Sequence, residues 1–364
     1  MDLTWGEDYA ALAEVSKSVF ARYSPLEDRA NQVAIADQIA QFAELGWFQL
    51  GDPTGSDPDS PSLGTIAGIF VESGRALAAT PLLELTMARD ALLAIGTGKA
   101  LGVAESIGDG GSVVVPVFPS PQWGSAVSYE NGALNGTALA VSYADHADSF
   151  LVHAETGDHG DHGDGVVALI DASAPTGIEP LPNIGGHPMF ALTFDGVPVA
   201  DDAVLARGEE ADRAVELAEQ RGAVLSAAQV HGAGLRLLDM TVLYAQQRHQ
   251  FGGAIGRFQA VQYLCTDIAI AAHLTSAHAR SAARAIDAGT DPQPHLGLMR
   301  KHAAKAALQI VHAAHEVHAG IGFMVESNVH LFTDAAKRWQ YDFGSAAVND
   351  AEIVSALDRI CTGA

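Results

Sequence analysis

What the sequence has little of narrows it first. Only two cysteines occur in 364 residues, Cys265 and Cys361. Two thiols make neither a disulfide framework nor a thiolate zinc site. One sits in an apolar helical run and the other in the last turn of the chain, so both read as free thiols in a reducing compartment. Basic residues are scarce as well: 20 Lys and Arg stand against 44 Asp and Glu, a formal net charge of -24. Such a surface repels phosphate backbones and anionic lipid, which argues against nucleic acid or a membrane surface as partner. An anionic small ligand would have to be held by a few well-placed arginines. No apolar stretch is long enough to span a bilayer. The segment Met1 to Asp8 lacks the basic-then-apolar order of a secretion signal, so a soluble, cytoplasmic protein is expected. No internal repeat is evident.

What is present is enough for a large core: 48% of the residues are hydrophobic and 18% charged. At this length two or three domains are expected. From residue 8 to about 110 apolar residues recur at helical spacing, through Tyr9, Leu12, Val15 and Val19, then Ile35, Ile39, Phe42 and Leu45. Gly46 is placed as a C-cap. Gly51 to Ser62 is a loop by composition, and Ile66 to Leu77 is a helix that stops before Pro81. At Gly108-Asp-Gly-Gly111 the texture changes. Ser112 to Phe118 is a β-branched run, followed by strand-like segments at 132–141, 149–154, 165–171 and 190–194.

From Glu209 the signal is helical again. Val224, Ala228, His231, Leu235, Leu238, Val242 and Ala245 form an amphipathic stripe. Gly252 to Gly256 interrupts it, and Phe258 to Ile286, Leu296 to His318, Val329 to Trp339 and Asp350 to Ile360 complete a helical bundle. The expected division is a helical domain at 1–111, a β domain at 112–207 and a helical bundle at 208–364. One low-complexity patch, Asp158-His-Gly-Asp-His-Gly-Asp164, carries carboxylates and imidazoles, but Gly and Asp dominate it and nothing orients the ligands. It reads as a loop between strands rather than a metal site.

One stretch is more specific. Gly232-Ala-Gly-Leu-Arg-Leu-Leu-Asp-Met-Thr-Val-Leu-Tyr244 leads to Arg248-His-Gln-Phe-Gly252 and then Gly253-Ala-Ile-Gly-Arg-Phe-Gln-Ala-Val-Gln262. It resembles the signature of the flavin-dependent acyl-CoA dehydrogenase family: a Tyr, then Arg-x-x-Phe-Gly, then Ile-Gly-x-Phe-Gln. Gly74-Arg-Ala-Leu-Ala-Ala-Thr-Pro81, the Asn135-Gly136 turn and His315-Glu-Val-His-Ala-Gly-Ile-Gly-Phe323 resemble further family segments. The resemblance covers essentially the whole chain. It implies an α+β fold with an N-terminal helical domain, a middle β-barrel and a C-terminal four-helix bundle. In the family the matching Arg and Phe grip the FAD of a neighbouring subunit, and a guanidinium fork suits a pyrophosphate. The residues that the resemblance puts against FAD here are Arg248, Phe251, Gln259, Glu316 and Gly320.

Departures from the family gather elsewhere. The hydroxyl-bearing flavin loop of the middle domain reads Phe118-Pro-Ser-Pro-Gln-Trp-Gly-Ser125. The Trp-Ile-Thr segment that stacks on the flavin ring reads Ala140-Val-Ser-Tyr143, with Ser142 left as one donor. Dehydrogenation needs a carboxylate to take the α-proton while the β-hydride passes to flavin. The family's Tyr-Glu-Gly-Thr motif reads Tyr341-Asp-Phe-Gly-Ser345, so the base is Asp342 if Tyr341 anchors the match and absent if Gly344-Ser345 does. Some relatives carry the Glu on the helix before the signature, which makes Glu219 the other candidate. Glu316 and Ala319 stand where Gln and Gly are usual. His231 is expected to be a satisfied core histidine and Met324 a packing residue.

A chain that keeps what serves a neighbour's flavin and loses what serves its own matches the base-poor subunit of the family's α2β2 enzymes, some of which act on steroid side-chain CoA thioesters. The expected partners are an acyl-CoA thioester, a homologous subunit or a second copy, and an electron-transfer acceptor protein. The other readings are a homotetrameric dehydrogenase, an enoyl-CoA hydratase or dehydratase on the same fold, and a purely structural subunit.

Overall fold

The computed structural model describes Trp5 and residues 8–29, 33–118, 124–157, 165–344 and 346–362. The Asp158–Asp164 loop, Ser345, residues 119–123 of the Phe118–Ser125 segment and most of Met1–Asp8 lie outside the described residues. Five helices come first: α1 (Tyr9–Phe20), α2 (Ile35–Glu44), α3 (Leu63–Ala76), α4 (Leu82–Ile95) and α5 (Gly98–Gly108). Gly46 takes φ +69 just beyond α2, the left-handed conformation that ends many helices. The Ser62 side chain accepts from Thr65 N at 3.1 Å and caps α3.

Eight strands follow: β1 (Val114–Val117), β2 (Ala126–Glu130), β3 (Ala133–Ser142), β4 (Ser149–Glu155), β5 (Gly165–Asp171), β6 (Gly177–Pro180), β7 (Met189–Pro198) and β8 (Val204–Arg207). They form one mixed sheet in the order β6-β7-β3-β2-β4-β5-β8, with β1 parallel to β4. The path runs from β6 to β8, and no pairing between these two end strands is seen among the described residues. β2, β6 and β8 escape the sequence reading. β2 and β6 have no buried position to produce an apolar alternation, and β8 is four residues long. The sheet has a core of its own, with Leu134, Phe150, Ala168 and Leu192 fully buried.

The rest is helical: α6 (Glu209–Gln247), a hairpin of β9 (His249–Gln250) and β10 (Gly253–Ala254), then α7 (Gln259–Asp287), α8 (Gln293–His318), α9 (Val329–Asp342) and α10 (Ala346–Thr362). With 39 residues, α6 is about 58 Å long at the standard rise. The expected one-sided stripe on α6 is corrected here. Every residue from Val224 to Gly234 is buried, because α6 is packed among α3, α4, α7 and α8, and a helix buried all round shows no polar face there. One continuous hydrophobic core therefore runs from α1 through α9.

The crossing of α3 and α6 is made by backbone. A Cβ added at Gly232 would lie 1.9 Å from Val71 O, and one at Gly74 would lie 2.0 Å from Gln229 O. Farther along, Arg221 of α6 pairs with Asp90 of α4 at 2.6 Å, with both side chains buried. Among the described residues, no helix is long and apolar enough to cross a membrane.

Gly232→Ala is expected to destabilise the chain by about 3 kcal/mol or to prevent folding, since a methyl there has only backbone to displace. Denaturant unfolding of the variant beside wild type measures this, and a loss under about 1 kcal/mol would mean that the helices can separate freely.

Candidate functional site

Two features meet at the far end of α6. The helix stops at Gln247, and Arg248 begins a hairpin that reverses at Phe251 and Gly252, with φ +51 and +84. Positive φ at both central residues defines the tight turn that suits the twist of a two-residue hairpin. Gly253 pairs with Gln250 and Ala254 with His249. Arg248 is exposed, and Phe251 at the tip is 83% exposed. The sequence predicts a helix end that runs straight into a loop. Only the chain geometry reveals the hairpin.

The segment after α8 lies beside it. Tyr244, one turn before the end of α6, stacks on His318 with ring centroids 4.4 Å apart and 21° between planes. His315 stacks on Phe323 at 4.2 Å and 18°, and its Nε2 faces Thr333 Oγ1 at 2.7 Å. Between the two stacks the chain turns at Ala319, with φ 52 and ψ -141, a region that a Cβ disfavours and glycine occupies freely. Glu316 and Gly320 are exposed, and a side chain at Gly320 would meet nothing within 4 Å. Phe323 is 71% exposed, and Ile321, Met324 and Val325 are exposed as well. Met324 is thus not a packing residue, which corrects the expectation for it. This end of the bundle combines an exposed guanidinium with apolar tips that nothing among the described residues covers.

A second site lies where the N-terminal helices, the sheet and α9 meet. A cavity of about 580 Å³ is lined there by Gln38, Ser73, Tyr143, Gln229, Arg338 and Trp339, among others. Arg338 organises it. Its Nη1 donates to His187 Nδ1 at 3.1 Å, Nη2 donates to Gln229 Oε1 at 3.4 Å, and Nε lies 3.3 Å from Asp342 Oδ2. A guanidinium can only donate, so the proton of neutral His187 sits on Nε2 and points to Ser142 Oγ at 3.2 Å. The Ser142 hydroxyl also faces the Glu84 carboxylate and favours its charged form slightly. Burial drives His187 down to about 3 and Glu84 up to about 7, with Arg338 opposing the rise of Glu84. The hydroxyl that the resemblance offers to a flavin ring is therefore engaged by His187. The donors at this end of β3 do not fit that group.

The two candidate bases are not brought together. Asp342 is the last residue of α9 and turns back onto Arg338 one helical turn earlier. A third of its side chain is exposed, yet the protein packed around its carboxyl raises it to about 6 against the pull of Arg338. Glu219 is part of another group. Burial pushes it up to about 7, with Arg300 opposing and Glu216 adding to the rise, and Arg300 itself pairs with Glu352 at 3.3 Å. Neither carboxylate lines the cavity. Gln259 is exposed at the first turn of α7. His231 is buried with Nδ1 2.9 Å from Ala272 O, and burial lowers it to about 4, as expected of a satisfied core histidine.

Glu84, His187 and Arg338 were missed from the sequence. The i,i+4 spacing of Arg338 and Asp342 was a readable signal. Nothing local marks Glu84 or His187, which meet only through the packing of α4 and the sheet. Among the described residues, no group of three or more His, Cys, Asp or Glu is arranged to hold a metal ion.

The chain has relatives among known proteins. Residues 213–357 match the family model described as acyl-CoA dehydrogenase, C-terminal domain. The chain is 27% identical over 335 residues to acyl-CoA dehydrogenase FadE28 of Mycobacterium tuberculosis, covering 85% of this chain and 91% of that one. It is 30% identical over 295 residues to acyl-CoA dehydrogenase FadE27 of the same organism, covering 76% of each. The ChsE4-ChsE5 complex from Mycobacterium tuberculosis superposes with a TM-score of 0.84 at 25% identity, over 98% of this chain and 99% of the other.

Two outcomes are expected from these geometries. Ala319→Gly should stabilise the chain by about 1 kcal/mol by relieving the turn, read as a raised denaturant midpoint with unchanged slope. Glu84, with its carboxyl raised to about 7, binds its proton more tightly folded than unfolded. The stability it contributes is full below its unfolded value and is lost as pH rises through 7. Unfolding free energies of wild type and Glu84→Gln should therefore diverge by about 2 kcal/mol between pH 5 and pH 8, with the variant gaining at pH 8. Parallel curves would place Glu84 in solvent.

Proposed function

The chain belongs to the acyl-CoA dehydrogenase family, and from that premise we propose that it serves as the subunit that completes the FAD site of a homologous partner in a heteromeric enzyme. The single observation that carries this reading is the contrast between its two sites. The Arg248 hairpin and the 319–325 turn are open at one end of the bundle, with Phe251 83% exposed. Beside the chain's own cavity, the Ser142 hydroxyl is held by His187 and the candidate base Asp342 lies against Arg338.

The donor set at the open end suits a dinucleotide. A guanidinium offers parallel donors that match a pyrophosphate, and an exposed aromatic ring beside it gives apolar cover to whatever docks. On a chain with a net charge of -24, a positive group facing outward needs an anion to be useful. FAD bound there supplies the hydride acceptor for α,β-dehydrogenation of an acyl-CoA thioester. The residues of this chain orient it and keep water from its outer face: Arg248, Phe251, Gln259, Glu316 and Gly320. An ionised Glu316 can accept but not donate, so it would face a donor of the cofactor rather than a phosphate. The base then comes from the partner. A steroid side-chain CoA thioester is the acyl class that the sequence resemblance implies. The ChsE4-ChsE5 complex, a pairing of two differently named chains, supports a heteromeric partner.

The homotetramer is the competing arrangement, favoured by the raised carboxyls of Glu219 and Asp342, which would suit proton abstraction near neutral pH. Flavin content separates the two. The chain purified alone is expected to be colourless, and the chain co-purified with a homologous subunit to hold one flavin per two chains. Arg248→Ala in that complex should weaken flavin retention about tenfold to a hundredfold, the worth of charge-assisted hydrogen bonds. A lone chain that is yellow and bleaches with an acyl-CoA would overturn the reading.

A further inference from the structure

The hairpin that carries Arg248 has little backbone pairing to hold its shape. Its strands are two residues each, far below the length at which a hairpin is stable alone. Its first turn position is Phe251 at φ +51, where a bulky side chain is unfavourable and Asn, Asp or Gly is usual. One backbone bond closes the base, from Ile255 N to Arg248 O at 2.9 Å. The tip is held by a side chain. Arg257, in the short turn before α7, folds back over β10. Its Nη2 donates to Phe251 O, and its Nη1 reaches Gly252 O at 3.5 Å. Its guanidinium lies over the Phe258 ring, 4.9 Å from the centroid, and Phe258 meets Phe251 edge-on at 6.1 Å and 81°.

Gly253 leaves the room for this clasp. A Cβ there would sit 2.8 Å from Arg257 Nη1 and 3.2 Å from its Cζ. The side chain passes through the space that any other residue would fill. Only a fork that donates in parallel, lies flat on an aromatic ring and keeps its charge can do all three.

We infer that Arg257 is a positioning residue: it clasps the carbonyls of the strained tip, through the gap left by Gly253, and so holds Arg248 and Phe251 in the geometry that meets the cofactor. The role in cofactor binding rests on the reading of the open end given above, whereas the clasp itself does not. Arg257 need not touch the cofactor for this to hold.

The test has two arms. On the chain alone, trypsin cleavage after Arg248, followed by mass spectrometry, reports how often the hairpin opens. It should be about tenfold faster in Arg257→Gln and in Gly253→Ala, and intermediate in Arg257→Lys, with circular dichroism unchanged. Gly253→Ala keeps both charges and removes only the gap, so a like effect separates position from electrostatics. The Arg257→Gln/Gly253→Ala double variant should be no worse than either single one, because both remove the same contact.

In the flavin-loaded assembly, FAD retention should fall about tenfold in the same variants, with Arg248→Ala as reference. Unchanged cleavage would overturn the clasp, whatever the flavin does. Faster cleavage with flavin retention lost only in Arg248→Ala leaves the cofactor reading standing and removes Arg257 from it. If Arg248→Ala itself retains flavin fully, the reading of the open end fails, and the positioning role fails with it.

Discussion

The rest of the structure depends on the approach of two helix backbones. α3 and α6 cross with Gly74 and Gly232 at the contact, each facing the other helix's carbonyls at distances that no Cβ tolerates. Close-packed interiors are rigid because nothing can move without displacing its neighbours, and a crossing made of main chain is the stiffest form of this. It fixes α6 against the N-terminal helices, and Arg221 paired with Asp90 fixes it again toward α4. A helix about 58 Å long then carries that fixed placement to both ends of the molecule.

At the crossing itself the constraint becomes chemistry. Gln229 of α6 donates to Ser73 of α3 at 3.3 Å and presents its Oε1 to Arg338. The guanidinium has three further neighbours in His187, Asp342 and, by charge, Glu84. The groups follow one another from Arg338 through His187 and Ser142 toward Glu84, while Arg338 Nε and Glu84 Oε2 find no hydrogen-bond partner among the described residues. A buried network of this kind is strong when complete, and its components are expensive to separate. It occupies the junction where a substrate-facing base and a flavin-facing hydroxyl would have to be free. The other end of the same helix has the opposite character: a guanidinium on an exposed hairpin, aromatic stacks beneath it, and apolar tips in solvent.

The fold was largely legible because its signals are local. Helical periodicity, the β-branched run at Val114 to Val117, and turn glycines such as Gly46 report what neighbouring residues do. The strands that were missed, β2, β6 and β8, are half-exposed or short, so their partners in the sheet make them strands rather than their own composition. The stripe on α6 was read as one face of an amphipathic helix. From Val224 to Gly234 the helix is buried all round because other helices cover what looked like its free side, and no periodicity within α6 records where other helices will lie. The open site was legible in part, since Arg248 and Phe251 sit within a contiguous signature.

By itself, then, the sequence determined the order of helices, sheet and bundle, the acidic surface with few arginines to spare, and the family to which the chain belongs. These follow from composition and from residues close together along the chain. The tertiary structure alone decided that the signature forms a hairpin clasped by Arg257, that Asp342 turns onto Arg338 while Glu219 lies elsewhere, and that Glu84, His187 and Ser142 form one network. Those outcomes join residues up to 254 positions apart, from Glu84 to Arg338. The physical reason is that a buried charge takes its partner from whatever packing brings near, and packing is a property of the whole chain.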